Sequence, residues 1–318
     1  GSSNILIGAY TGDALVGGSS NVAIGYAALT TEDEHGANVA VGFQALYAQN
    51  AGADAYNVAV GYNAGVAVST GLYNTLIGGQ AGDAITTGSQ NTALGTFTLS
   101  ANQEGKKNTA LGYGALNAMN PASSSDTHNT AVGYHAGLSV STGIYNTLIG
   151  SNAGDALTTG SRNVAVGFNA LTTEDAYGYN TAIGYDSLKS LNAGADAYNT
   201  ALGYRSGYLV STAVNNTLIG ALSGDAITTG GYNVALGYQS LSSNTIGNSN
   251  IAIGTNAMLV NVAADRNVAI GTDALENMTA ANTADYFNVA IGYHAGKQVT
   301  SGVKNTIVGG LAGDALTT

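Results

Sequence analysis

A chain of 318 residues with 45% hydrophobic and 8% charged residues carries 46 glycines, one proline and no cysteine. A net charge of −11 with only eight Lys and Arg excludes an electrostatic nucleic-acid footprint. The missing thiols exclude disulfides and thiolate metal sites. No apolar run approaches the ~20 residues that cross a bilayer, and no signal peptide is visible. An Asn-x-x-x-Gly core then recurs eighteen times, starting at residues 4, 21, 38, 57, 74, 91, 108, 129, 146, 163, 180, 199, 216, 233, 250, 267, 288 and 305. Thirteen of the seventeen intervals are 17 residues, two are 19 and two are 21. A fixed short period carried through a whole chain predicts a solenoid of about eighteen coils, numbered here from their asparagines.

Within a coil, the Asn is position 1 and the Gly position 5. Position 2 is always β-branched (Val22, Thr75, Ile251) and position 4 always Ile, Val or Leu, which suits a short strand. Positions 2 and 4 share one face, and that face is expected to line the interior, leaving position 3, Ala in thirteen copies, outside. A buried turn-and-ladder role is expected for the asparagines. A second strand is predicted around positions 9 to 12. There, position 9 is Gly (Gly65, Gly82) where position 12 is apolar (Val68, Ile85), and large (Leu99, Leu171) where position 12 is usually polar (Asn102, Glu174), so the two look like alternative ways to fill one volume.

A longer period overlies the coils. Position 3 becomes large at Leu6, Leu76, Leu148, Leu218 and Ile307, in the coils that carry Gly-Asp-Ala. Coils 3, 7, 11 and 16 are lengthened, near Gln49–Tyr56, Asn117–His128, Leu191–Tyr198 and Thr279–Phe287. The chain reads as a single uncapped array, 1–318, in approximate units 4–73, 74–145, 146–215, 216–304 and 305–318. It is expected to be a window on a longer array, or to pack end to end with neighbours.

The segments Asn129-Thr130-Ala131-Val132-Gly133-Tyr134 and Asn288-Val289-Ala290-Ile291-Gly292-Tyr293 resemble the head repeat of YadA-like trimeric autotransporter adhesins. Similar arrays occur in phage tail fibres. The resemblance implies a left-handed parallel β-roll in a homotrimer, at the surface of a cell or virion. Independently, an apolar Ala face flanked by Tyr at position 6 argues for burial against two further copies.

Chemistry is sparse. The Gly-Asp-Ala aspartates (Asp13, Asp83, Asp155, Asp225, Asp314) lie at least four coils apart, roughly 19 Å at ~4.8 Å per coil, so they cannot pair within a chain. In a trimer, three of them at one level could hold a cation. Glu32-Asp33-Glu34 and Glu174-Asp175 are acidic clusters of the kind that bind Ca²⁺, read here as solvated turn charges. The histidines His35, His128, His135 and His294 have no partner at metal-ligand or triad spacing. No catalytic residue, metal ligand or cofactor is assigned, and no enzymatic activity is expected. The function expected is a structural rod segment of an extracellular fibre that presents host-recognition elements. One alternative is direct binding of a host glycan or protein through the loop stripe, at Asn50, Asp54, Tyr56, Ser124, Asp126, His128, Asp196, Tyr198, Asp285 and Tyr286. Another, an ice-binding solenoid using threonines such as Thr75, Thr92, Thr109, Thr130 and Thr147, is disfavoured while position 2 is placed inside.

Overall fold

The computed structural model describes residues 1–279 and 282–318, in two compact units, Gly1–Ser161 and Arg162–Thr318. Ala280 and Ala281, part of the lengthening expected in coil 16, lie outside the described residues. Each coil contributes one three-residue strand. The strands run from β1 (Ile5–Ile7) to β9 (Thr147–Ile149) in the first unit and from β10 (Val164–Val166) to β18 (Thr306–Val308) in the second. Within each unit every strand pairs in parallel with the next in sequence, without offset; Thr75 lies against Thr92, Leu76 against Ala93 and Ile77 against Leu94. Constant repeat length dictates this register, because each residue meets its own counterpart one coil on. The insertions leave it intact: Val39–Val41 pairs with Val58–Val60 across coil 3, and Thr109–Leu111 with Thr130–Val132 across coil 7. Each unit is a parallel β-solenoid, the fold class expected from the period.

Two details differ from the reading of the repeat. First, the strand faces are reversed. Position 3 is the buried one (Ala23, Ala40, Leu76 and Ala131 are all at 0% exposure), while positions 2 and 4 are half-buried or exposed. The reason is volume. Leucines at position 9 project into a narrow interior from the opposite wall, and only Ala at position 3 leaves them room. Where position 3 is Leu76, position 9 is Gly in the same coil and in the one before it. A Cβ on Gly65 would lie 2.7 Å from Leu76 Cδ1, and one on Gly82 2.8 Å from Leu76 Cδ2. Leu148 stands in the same relation to Gly137 and Gly154, and Leu218 to Gly207 and Gly224. The four-coil period is therefore a core-packing pattern, in which one volume is filled from either wall.

Second, the expected strand at positions 9 to 12 is a run of tight turns. In coil 5, Ala81 N–H donates to the Gly78 carbonyl and Ile85 N–H to that of Gly82. Gln80, the third residue of the first turn, has φ of 54°, as a type II turn requires there, and Gly82 is left-handed too at 58°. The position-5 glycine is fixed more tightly still. Gly78 has φ of 137°, and a Cβ there would sit 2.5 Å from the Gly95 carbonyl oxygen of the next coil.

Polar groups follow the same logic. Asn74 Oδ1 accepts the Asn91 N–H at 3.0 Å, and Asn74 Nδ2 donates to the Gly88 carbonyl at 2.9 Å. The expected ladder is thus built, one amide per coil (Asn91 and Asn108 continue it). Polar residues at position 12 also turn inward. Asn102 Oδ1 accepts the Gly105 N–H and its Nδ2 donates to the Gly105 carbonyl. Glu32 and Glu174, expected as solvated charges, are both fully buried, since the leucine at position 9 already fills the apolar volume and position 12 folds back to cap the turn.

Candidate interaction surface

Reversal of the faces places the β-branched and aliphatic columns on the outside. Thr75, Thr92, Thr109, Thr130 and Thr147 stand in register in five successive coils, beside Ile77, Leu94, Leu111, Val132 and Ile149. Leu94 remains 44% exposed and Leu236 43%. No position 2 or 4 in the chain carries a charge. The strand thus offers a narrow, apolar, charge-free stripe, which is unusual for a surface left to water.

Aromatic columns flank it. At position 6, Tyr26, Phe43 and Tyr62 stack with centroids 5.2 and 5.4 Å apart, as do Phe168, Tyr185 and Tyr204 at 5.3 and 5.6 Å. Their rings are 41 to 58% exposed. The residue preceding each Asn forms a second column, with positive φ throughout (Tyr56 at 52°, Tyr73 at 59°) and its side chain turned outward. Tyr56 stacks on Tyr73, His128 on Tyr145 and Tyr179 on Tyr198. Both columns stack coil to coil at close to the strand spacing, which gives offset aromatic pairs without any partner chain.

The loop residues singled out from the sequence fall into four separate clusters along these columns. In coil 3, Asn50 N–H donates to the Ser69 carbonyl and Asp54 Oδ1 accepts the Gly36 N–H, beside exposed Tyr56. In coil 7, Ser124 is exposed, and Asp126 is paired with Lys107 at 2.6 Å and lies 3.9 Å from His128. The Lys107 hydrogen bond holds the Asp126 carboxyl below its ordinary range. In coil 11, Asp196 Oδ1 accepts the Gly178 N–H beside exposed Tyr198. In coil 16, Asp285 pairs with Arg266, whose guanidinium lies over Phe287. Tyr286 is a correction: it is only 9% exposed, and Phe287, at 47%, takes the outward place that Tyr56 and Tyr198 hold. Tyr286 corresponds to buried Ala55 and Ala197, one residue short of the positive-φ position, so counting back one from Asn288 would have found the exposed ring.

Other polar groups are brought together that spacing did not reveal. His294 Nε2 lies 3.0 Å from Asp273 Oδ2, and Lys297 Nζ reaches Asp273 and Glu276 at 2.9 and 2.8 Å. Burial opposes charge on Asp273, but hydrogen bonds from Lys297 and Asn256 outweigh it and keep its carboxyl low; hydrogen bonds to Glu276 and Asp273 in turn raise Lys297. Asp83 and Asp225 are pushed up by burial, although Gln80 and Ser242 respectively donate to them. A shallow depression of about 320 Å³ is lined by Tyr10, Asp13, Tyr26, Ala27, Thr30, Gln44 and Tyr47. Among the described residues no helix is long and apolar enough to cross a membrane. Comparison with protein-family models, curated proteins and solved structures gives no significant match.

Proposed function

We propose that the chain is a structural segment of an extracellular fibre, of the phage tail-fibre or surface-adhesin kind, that holds host-recognition elements at fixed spacing and performs no catalysis. The observation that carries this reading is the use of the interior. Nearly every buried polar side chain closes a turn or joins a coil to the next, as the Asn74–Asn91–Asn108 ladder does. Such a molecule transmits position along its length. The resemblance to YadA-like heads and tail fibres points the same way and supplies the left-handed coil and the homotrimer.

The trimer needs a new surface, because the alanines first assigned to it line the core of a single chain. The outward stripe of positions 2 and 4, with the position-6 aromatics beside it, replaces them. Sheets pack face to face ~10 Å apart when both faces are apolar. The loop clusters stay on the rim and carry any contact with a host glycan or protein. Electron microscopy of the assembled fibre, labelled with antibody against coils 5–9, tests the reading. Label along the shaft supports it, and label scattered over a globular particle contradicts it.

A second reading gains from the outward threonines. A flat row of five hydroxyl- and methyl-bearing side chains in register is the surface an ice-binding solenoid would use, and the stripe cannot serve both purposes. Thermal hysteresis in the monomeric chain, abolished by Thr109→Lys, would favour this reading over the fibre.

A further inference from the structure

Coil 2 holds one group of polar side chains that the packing of the coil does not explain. Glu32 is completely buried. Its Oε1 accepts the His35 N–H at 3.1 Å, whereas its Oε2 has no hydrogen-bond partner, and neither does the buried His35 Nδ1. The Asp33 backbone carbonyl is saturated by the N–H groups of Val16, Gly17 and Gly18, so the backbone here is fixed from the preceding coil. One ligand atom from each of Glu32, Asp33 and His35 lies within 4.8 Å of the others. Asp33 Oδ1 accepts the Glu34 N–H.

Coil 10 of the other unit provides the comparison. Glu174 occupies the position of Glu32 and is equally buried, but Tyr177 N–H donates to its Oε1 and Ala193 N–H to its Oε2. Position 15 there is Tyr177 instead of His35. A glutamate at position 12 is therefore satisfied by the fold alone, and in coil 2 it is left open where a histidine arrives. A buried carboxylate with an open oxygen, an imidazole with an open nitrogen and a second carboxylate, gathered in one turn, are a three-ligand set. A buried anionic oxygen without a partner is costly.

We infer that Glu32, Asp33 and His35 form a divalent-metal site of the zinc class, which cross-links the turn of coil 2. The imidazole selects a borderline metal, because Ca²⁺ takes six to eight oxygens and this cluster offers too few. Ligands of tetrahedral zinc stand roughly 3.3 Å apart, so Asp33 and His35, both partly exposed, move inward on binding while Glu32 stays. Glu34 is exposed and takes no part. The inference is independent of the fibre reading.

Isothermal titration of the full chain with Zn²⁺, Mn²⁺ and Ca²⁺ tests it, with His35→Ala, Glu32→Gln, His294→Asn and Glu174→Gln alongside. The expected result is one Zn²⁺ per chain, at least tenfold weaker in His35→Ala and Glu32→Gln and unchanged in the other two. Zn²⁺ should also raise the unfolding midpoint of the wild type by several degrees, and leave that of His35→Ala where it was. Three outcomes overturn the assignment: no saturable Zn²⁺ binding by the wild type, binding that survives His35→Ala, or Ca²⁺ bound more tightly than Zn²⁺. Because the wild-type titration alone can fail, a variant that does not fold does not shield the proposal.

Discussion

Coils 2 and 5 enclose the same interior by opposite means. In coil 2 the strand contributes Ala23 and the far wall Leu29, with Glu32 folded back onto its turn. In coil 5 the strand contributes Leu76 and the far wall Gly82, with Ile85 apolar. The first turn, the asparagine ladder and the strand register are the same in both, whereas the turn run extends over 79–84 in coil 5 and only over 26–29 in coil 2. Backbone and core are thus specified separately: position 1 and position 5 set the coil, and the trio at positions 3, 9 and 12 fills it. Every residue of the trio is constrained by the other two and by the coil before it.

The comparison breaks most severely if one wall is changed alone. Gly65→Leu should cost at least about 4 kcal/mol or abolish folding of its unit, because even a Cβ there meets Leu76, Leu46 and Val68 at 2.7 to 3.2 Å. Adding Leu76→Ala and Val68→Asn converts coil 4 to the other type and should recover at least about 1.5 kcal/mol, measured by urea denaturation as a coupling energy. Purely additive losses would mean that the two fillings are unrelated.

Leu76→Ala alone comes next, at about 3 kcal/mol, for it leaves a cavity flanked by Gly65 and Gly82, which have no side chain to fill it. Asn91→Ala should cost about 2 kcal/mol in denaturation, since it strips the side-chain acceptor from the buried Asn108 N–H and leaves the Gly105 carbonyl with the Asn102 amide alone. The ladder is common to both coil types, so the equivalent Asn57→Ala should cost the same within about 1 kcal/mol.

The smallest effect concerns Asp83, whose carboxyl is raised by burial. A raised carboxyl makes its favourable contribution below the ordinary carboxylate range, and that contribution is lost as pH rises through the folded pKa. Asp83→Asn should therefore gain on the wild type between about pH 4 and pH 7, by less than about 1 kcal/mol. Paired thermal melts at the two pH values check it; a variant that loses ground to the wild type as pH rises would contradict the assignment.

These expectations also mark how far the sequence could be read. Period, coil number, parallel pairing, the asparagine ladder and the exchange between positions 9 and 12 were all legible, because each is written identically in many copies. The strand faces were not. Alternation says only that positions 2 and 4 oppose position 3, and β-branched residues suit either side of a thin sheet. The deciding signal was Leu76, Leu148 and Leu218, which appear at position 3 only where position 9 is Gly; a residue that trades size with the far wall must be inside. The turns had a signal too, in Asn63, Asn152, Asn169 and Asn256 at position 7 and Gly at positions 5 and 9. Asn and Gly on alternate residues favour left-handed backbone over a strand. At the surface, Tyr56, Tyr198, Asp54 and Asp196 lie exposed on the lengthened coils, whereas Tyr286 is buried. The Glu32–His35 pairing was hidden, since nothing in spacing says that Glu32 is buried.

The proposed trimer requires the outward stripe to be an interface between copies of the chain, and sedimentation equilibrium of the purified chain at micromolar concentration tests that directly. The prediction is a mass of three times 31.6 kDa for the wild type, falling to 31.6 kDa when Leu94→Lys and Leu111→Lys place charges on the stripe. A wild type that sediments as a single 31.6 kDa species, with the same unfolding curve as the lysine variant, would contradict it.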